Sequence, residues 1–351
     1  MALTKVDQTM VSDQVFGRRN LFLNGKMQVA QRTTSSSLST SAFVLDRWLF
    51  SVTAAGTHSV SRSADVPTGQ GFAYSQKIDC TTADASLGAS DLLLLQQKIE
   101  GINVQHLKFG TSSAESLTLS FWVKSNKTGT YIVEFVNDNS SGVAVVSQSY
   151  TISSANTWEK KIITIDGDTS LALQNTTDRE LLVYIWLAAG SNFSGGGSLN
   201  SSGWNSSYVT NTRAVGQVNF ADSTSNEYYI TGVQLEAGDK ATPFEHLSFG
   251  EELVLCQRYF HKANLPMVAT SFYAAGAYTT NWSVGYPFPN EMRAAPTATH
   301  SYTNRDNTAS LGTQSFTGAL TSHGCRIGGT NSLGAYPYAY WDLTSSFDAE
   351  M

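Results

Sequence analysis

Apolar and polar residues alternate with a period of two along much of the chain, the pattern of strands that bury one face and present the other to solvent. The clearest case is Leu117 to Lys124, with Leu117, Leu119, Phe121 and Val123 on one face and Thr118, Ser120 and Lys124 on the other; Trp122 is the exception. Tyr131 to Val136, Val143 to Tyr150 and Trp158 to Ile165 continue the pattern, and Tyr228 to Glu236 is a further strand. Leu181 to Leu187 is apolar throughout, which predicts a central strand buried on both faces. Strand-like segments separated by Gly, Ser, Asn and Asp clusters follow one another from about residue 20 to residue 247 with no long helix. Two packed sheets of roughly eight or more strands account for this spacing.

Breaks in the alternation divide the chain. Residues 1–19 lack strand alternation and read as an arm, in which Leu3, Val6 and Met10 share one face of a short helix. Asn24-Gly25, set between two apolar pieces, predicts a tight hairpin or strand reversal. The Gly/Ser-rich run from Ala188 to Ser207 is too poor in apolar residues for a core element and is expected to be a long exposed loop. Trp204 lies within it, either as an exposed aromatic at a ligand or partner surface or folded back over the sandwich edge. Near residue 248 the period changes from two to that of a helix. Ser248 and Glu251 form a capping-box pair, Phe249, Leu253, Cys256 and Phe260 fall at helical spacing, and Arg258, His261 and Lys262 sit in the expected last turn. β-like texture then resumes, ending in a strand from Tyr338 to Phe347. The expected organisation is an arm over 1–19, a β-sandwich over 20–247, a connecting helix over 248–262 and a smaller β domain over 263–351.

Composition narrows the function. The 351 residues carry 22 Lys plus Arg against 28 Asp plus Glu, a net charge of -6, with 14% charged and 41% hydrophobic residues. So low a charge content with 28 Gly suits a turn-rich all-β protein rather than coiled coils or disordered tails. The acidic balance and the lack of a Lys/Arg cluster argue against nucleic acid as a partner. No apolar run is long enough to span a bilayer and the first twenty residues show no signal-peptide core, so no membrane insertion and cytoplasmic synthesis are expected. Cys80, Cys256 and Cys325 are too scattered for a disulfide framework or a metal knuckle.

The search for catalytic spacing yields no G-x-S-x-G elbow, phosphate loop or H-E-x-x-H pair. His323 and Cys325 form a close pair without a third ligand or an orienting group, and Asp166 and Asp168 flank Gly167 in what reads as a turn. The expectation is therefore no enzyme, no cofactor and no metal site. Aromatics in Gly/Ser-rich or strand contexts are the more promising residues: Trp204, Tyr208, Trp282, Tyr286, Tyr336, Tyr338, Tyr340 and Trp341. Such rings can lie flat on a sugar face, and the same alternation also suits a core or a subunit interface.

Several segments resemble known proteins. Leu3-Thr4-Lys5-Val6 through Thr9-Met10-Val11-Ser12 resembles the N-terminal segment of many bacteriophage tail fibre and tailspike proteins. NLFLNGKMQVAQR with Leu45-Asp46-Arg47-Trp48, and residues 228–260, resemble the start and the end of a β-sandwich domain of phage tail fibre and other virion structural proteins. FPNEMRAAPTAT, residues 288–299, is similar to the β domain that often follows it, and Leu117 to Ile165 looks like a carbohydrate-binding-module jelly roll. The resemblance implies a jelly-roll-like sandwich in a homotrimeric tail fibre located in the virion. Leu3, Val6 and Met10 would contact other phage tail proteins, and a host surface glycan would be bound without cleavage. A purely structural virion component, or a glycan-degrading tailspike, is the alternative.

Overall fold

A computed structural model describes residues 18–270, 272–274, 277–304, 320–332 and 338–351, with the backbone alone for 265–270, 272–274, 277–284, 302–304, 327–332 and 338–341. The chain forms two compact units that divide between Leu247 and Ser248. The candidate arm contacts Leu3, Val6 and Met10 lie outside the described residues.

The strands of the first unit are β1 (Ser35–Leu38), β2 (Ala42–Phe43), β3 (Leu49–Thr53), β4 (Thr57–Ser63), β5 (Ser75–Thr82), β6 (Leu92–Glu100), β7 (Leu117–Ser125), β8 (Gly129–Asn139), β9 (Gly142–Ile152), β10 (Glu159–Ile165), β11 (Arg179–Ala189) and β12 (Glu227–Ala237). They make two six-stranded antiparallel sheets, ordered β1-β4-β5-β12-β7-β10 and β2-β3-β6-β11-β8-β9. One apolar core joins the sheets' inner faces. Phe121 and Val123 of β7, Tyr131, Val133 and Phe135 of β8, and Val183 and Ile185 of β11 all contribute to it, as do Trp48 and Phe50. The Tyr150 and Tyr228 hydroxyls meet inside it at 3.0 Å, so two buried polar tips satisfy each other. The fold is an all-β, jelly-roll-like sandwich.

β11 is central and buried on both faces, as its unbroken apolar run predicts. Leu181, Val183 and Ile185 face the inter-sheet core, while Leu182 and Trp186 join clusters on the outer side. The outer side is covered by the Gly/Ser-rich segment that was expected to be an exposed loop. After the single turn α1 (Ser191–Ser194), the segment hydrogen-bonds to β9, the edge strand of the second sheet: Val145 and Asn205 exchange N–H···O bonds at 3.1 and 3.0 Å, and Ser147 N donates to Asn200 O at 2.8 Å. A Gly/Ser run cannot build a core, but its backbone can satisfy the open edge of a sheet. That contribution leaves no hydrophobic signal in the sequence.

The chain turns at Asn24-Gly25, with Met27 N donating to Asn24 O at 3.0 Å, but the flanking pieces do not pair as the two strands of a hairpin. Residues 20–25 run beside the C-terminal half of β12, with Leu21 N donating to Leu235 O at 2.8 Å and Val233 N to Gly25 O at 2.9 Å. Gly25 is required there, because a Cβ would lie 2.1 Å from Val233 O. The turn is closed by the Asn24 side chain, which accepts from Val29 N and donates to Val29 O, both at 2.8 Å.

In the second unit α2 (Phe249–Gln257) is followed by β13 (Phe260–Thr270), β14 (Phe272–Ala274), β15 (Ala277–Pro287), β16 (Thr297–Asn304), β17 (Gly324–Ser332) and β18 (Tyr338–Asp348). Two three-stranded sheets result, β13-β18-β16 and β14-β15-β17. The capping box predicted at Ser248 and Glu251 is present. The helix is shorter than its periodicity implies: Phe260, His261 and Lys262 begin β13, where Phe260 pairs with Asp348. A buried aromatic at i+4 satisfies helical spacing whether it lies in the helix or in the strand just beyond it.

Candidate functional site

The outer face of the first sheet carries the site. Because Phe121 and Val123 point into the core, the pleat turns Ser120, Trp122 and Lys124 outward. The register then sets transverse rows: Thr231 beside Trp122 beside Lys160, and Gln234 beside Ser120 beside Ile162. Neighbours in such a row stand about 5 Å apart at Cβ. β12 bulges between Thr231 and Gln234, and Gly232 occupies the bulge at φ 61°. Its missing side chain leaves room for the Phe72 ring, which would stand 2.5 Å from a Cβ at that position.

A strap following β12 builds one wall. Buried Glu236 holds it, accepting from Thr242 N at 2.8 Å and from Thr242 Oγ1 at 2.6 Å. Gln234 Oε1 accepts from Glu245 N at 2.8 Å, and the Glu245 carboxylate accepts from Asn20 N at 2.9 Å. So fixed, the strap sets Phe244 and His246 against Phe72, with centroid distances of 5.1 Å for Phe72–Phe244 and 4.9 Å for Phe244–His246. Between this aromatic wall and the sheet lies a groove of about 440 Å³, lined also by Gln70, Ser120, Trp122 and Lys160. Burial, with the Lys26 charge as a smaller cause, holds the His246 imidazole below its ordinary pKa, so near neutrality the ring is an uncharged hydrogen-bonding group.

Trp122 is the decisive side chain. It is half-buried, and its indole has no ring contact or hydrogen bond among the described residues. Its neighbour Trp158 is fully engaged by contrast: its Nε1 donates to Asp65 Oδ1 at 3.0 Å, and Lys124 sits over its ring while ion-pairing with Asp65. An indole with a free face and a free N–H, set in a groove with amide, hydroxyl and ammonium groups, can stack on a sugar ring and hydrogen-bond to its hydroxyls.

The aromatics singled out from sequence fall elsewhere. Trp204 folds back onto the sandwich, edge-on to Phe109 at 5.5 Å, and its N–H donates to Asp166 O at 2.7 Å. Tyr208 packs half-buried against the Val136, Val145 and Leu182 cluster. Tyr286 stacks on His261 at 5.7 Å and on Phe347 at 6.0 Å, and its hydroxyl lies 2.5 Å from His261 Nε2, so it belongs to the interior of the second unit. Trp282 is on β15 opposite Gly329, and Tyr338, Tyr340 and Trp341 are on β18 opposite Thr270, Val268 and Met267; their side chains, and all of Tyr336, lie outside the described residues. Trp122, Phe72, Phe244 and Lys160 were missed. The available signal was Trp122 itself, a large aromatic on the polar face of an otherwise regular strand.

The groups considered for catalysis are structurally engaged. Asp168 is buried, accepting from Ser170 N at 2.8 Å and from Asn137 Nδ2 at 3.0 Å in the turn that its spacing predicted. Burial pushes the Cys325 thiol up to about 11, leaving it a poor nucleophile at neutral pH. Among the described residues, no three His, Cys, Asp or Glu side chains gather as a metal would need, and no helix is long and apolar enough to cross a membrane.

No protein-family model and no curated protein matches the chain. Among solved structures it is similar to the enzymatically active domain of bacteriophage CBA120 tailspike protein 4, at 14% identity over 62% of this chain and 21% of that one, with a TM-score of 0.32. It is similar to the family 11 carbohydrate-binding module of a cellulosomal cellulase of Clostridium thermocellum, at 12% identity over 60% of this chain and 98% of the module, TM-score 0.29. A third is a xylan-binding domain from Paenibacillus barcinonensis, at 13% identity over 62% and 99% of the two chains, TM-score 0.27. The chain thus spans about a fifth of the tailspike domain's length. The likeness is one of β-sandwich architecture, which many functions share.

Proposed function

We propose that this protein binds a glycan in the Trp122 groove and does not cleave it. The carrying observation is the open indole of Trp122 in a groove whose other lining groups are Gln70, Phe72, Ser120, Lys160, Phe244 and His246 together with backbone-rich strap residues. Glycoside hydrolysis needs a pair of carboxyl groups flanking the bond, and this lining supplies none. Binding without bond cleavage is the chemistry such a lining performs.

The setting we propose is a bacteriophage tail fibre: a homotrimer in the virion tail, joined to other tail proteins through the segment with Leu3, Val6 and Met10. The resemblance of residues 20–48 and 228–260 to virion sandwich domains supports it. Three copies per fibre would convert weak single-site binding into firm attachment through avidity. A structural virion role is the second reading, favoured by Ile162, an apolar side chain 55% exposed beside the groove, as a protein-docking surface would have.

The test is attachment of labelled protein to host cells, and its retention in glycan-containing gels, for wild type and Trp122→Ala. Loss of one stacking platform should weaken single-site binding at least about tenfold, or 1.4 kcal/mol, with the melting temperature unchanged. Equal retention by the variant overturns the site. Wild-type protein that ignores bacteria and binds purified tails supports the structural reading, and light scattering that gives a monomer overturns the trimer.

A further inference from the structure

We propose that the ligand of the Trp122 groove is an acidic saccharide, and that Lys160 receives its anionic substituent while the indole carries its ring. The inference rests on the glycan-binding reading and adds the ligand's charge class.

Lysines elsewhere on this sheet are neutralised by the fold. Lys77 pairs with Asp79 at 2.9 Å and Glu227 at 3.0 Å, Lys161 with Glu159 at 2.5 Å, and Lys124 with Asp65; Lys127, in the turn after β7, pairs with Asp222. Lys160 is exposed and has no ion-pair partner among the described residues, although Glu159 precedes it in β10. Glu159 is already held, by Lys161 and by the backbone N–H groups of Ser153 and Ser154 at 2.9 Å. The strap carboxylates nearest the groove are committed as well, Glu236 to Thr242 and Glu245 to the amides of Arg19 and Asn20. A chain of net charge -6 thus keeps one uncompensated ammonium in register with its open indole, in a groove lined by no carboxylate. The protein's net negative charge works against an acidic polymer, and a local cation at the groove favours its docking. A neutral sugar would gain a hydrogen bond from this ammonium and no charge attraction.

The experiment is titration calorimetry of the full-length protein with uronate-bearing and phosphate-bearing capsule oligosaccharides, each beside its carboxyl-reduced or dephosphorylated counterpart. The expected result is a preference of roughly fivefold or more for one acidic form over its neutral counterpart, and the arm that shows it identifies the anion. The preference should shrink at about 0.5 M salt, where exposed charges are screened. Lys160→Gln should remove the preference by weakening the acidic form several-fold more than the neutral one, and Lys160→Arg should restore it. Equal affinities of acidic and neutral forms in the wild type overturn the inference and leave the groove as a glycan site. A preference that survives in Lys160→Gln overturns the role of Lys160, and no binding by any form, with Trp122→Ala indistinguishable from wild type, overturns the glycan reading itself.

Discussion

Single residues govern the second sheet's outer face as much as the groove. Glu134 of β8 is fully buried and forks onto Arg213, with Nε at 2.6 Å from Oε1 and Nη2 at 2.9 Å from Oε2, and it also accepts from Trp186 Nε1 at 3.0 Å. Arg213 in turn lies over the rings of Tyr184, Trp186 and Phe193. Removing one partner of such a pair strands a desolvated charge, so Glu134→Ala should lower unfolding stability by about 3–5 kcal/mol, read from the urea midpoint. Replacing both partners, as in Glu134→Leu with Arg213→Met, should recover most of that loss, because apolar side chains carry no desolvation penalty. A double variant as unstable as the single one would show that the pair's geometry, not its charge, holds the loop down. Neither residue announces this partnership in the sequence, where they lie 79 positions apart.

At the scale of elements, the strap is the part whose role can be separated from stability. Glu236 is paired through its backbone within β12, and its carboxylate spans to Thr242, so Glu236→Gln should keep the strand and loosen the strap. Glycan affinity should fall several-fold with a stability loss of about 1 kcal/mol, the worth of one hydrogen bond; unchanged affinity would remove the strap from the site. Ser248→Ala should cost α2 about 1 kcal/mol by removing the side chain that accepts from Glu251 N at 3.3 Å, measured as a shift in thermal midpoint. These two predictions mark the boundary of what the sequence discloses. The capping box is a local rule, three residues apart, and was legible, as were the alternation of β7 and the all-apolar β11. The strap was not, since Thr242-Pro243-Phe244-Glu245 reads as an extended piece and its position depends on carboxylate and amide contacts to β12. The same holds for the Gly/Ser segment paired to β9 and for residues 20–25 laid along β12. Each is held by backbone hydrogen bonds to a strand edge, which any residue type can make. The groove follows from these placements, so its floor at Trp122 left a trace in the sequence while its wall at Phe72 and Phe244 left none.

For the whole molecule, buried histidines set the response to acid. His58 in the sandwich is fully buried, its Nε2 2.8 Å from Ala55 O and its ring near Phe50 and Phe220; burial lowers its pKa, and the Ala55 contact opposes this only in part. In the second unit, burial likewise lowers the pKa of His261, whose ring lies nearly parallel to those of Tyr286 and Phe347, with centroids 5.7 and 6.3 Å away. In the unfolded chain both rings titrate at about 6.5. Below that pH the unfolded state binds more protons than the folded one, so stability rises with pH through this window and is lost as pH falls from 6.5 through the folded pKa values. A second decline belongs to Glu227, whose carboxyl is held below its ordinary 4.5 chiefly by the hydrogen bond from Lys77, against the opposing effect of burial; its contribution is present above 4.5 and lost as pH falls through the folded value. Urea midpoints should therefore be level from about pH 8 to 7, fall from about pH 6.5 downward, and steepen again below about pH 4.5. His58→Phe, which keeps a ring in the same aromatic cage, should lower the plateau through the lost Ala55 contact and flatten the first decline. A wild-type midpoint that stays level from about pH 8 to pH 5 would mean that the buried imidazoles are protonated without cost in the folded state. The aromatic enclosures around His58 and His261 would then have to open to water as the pH falls.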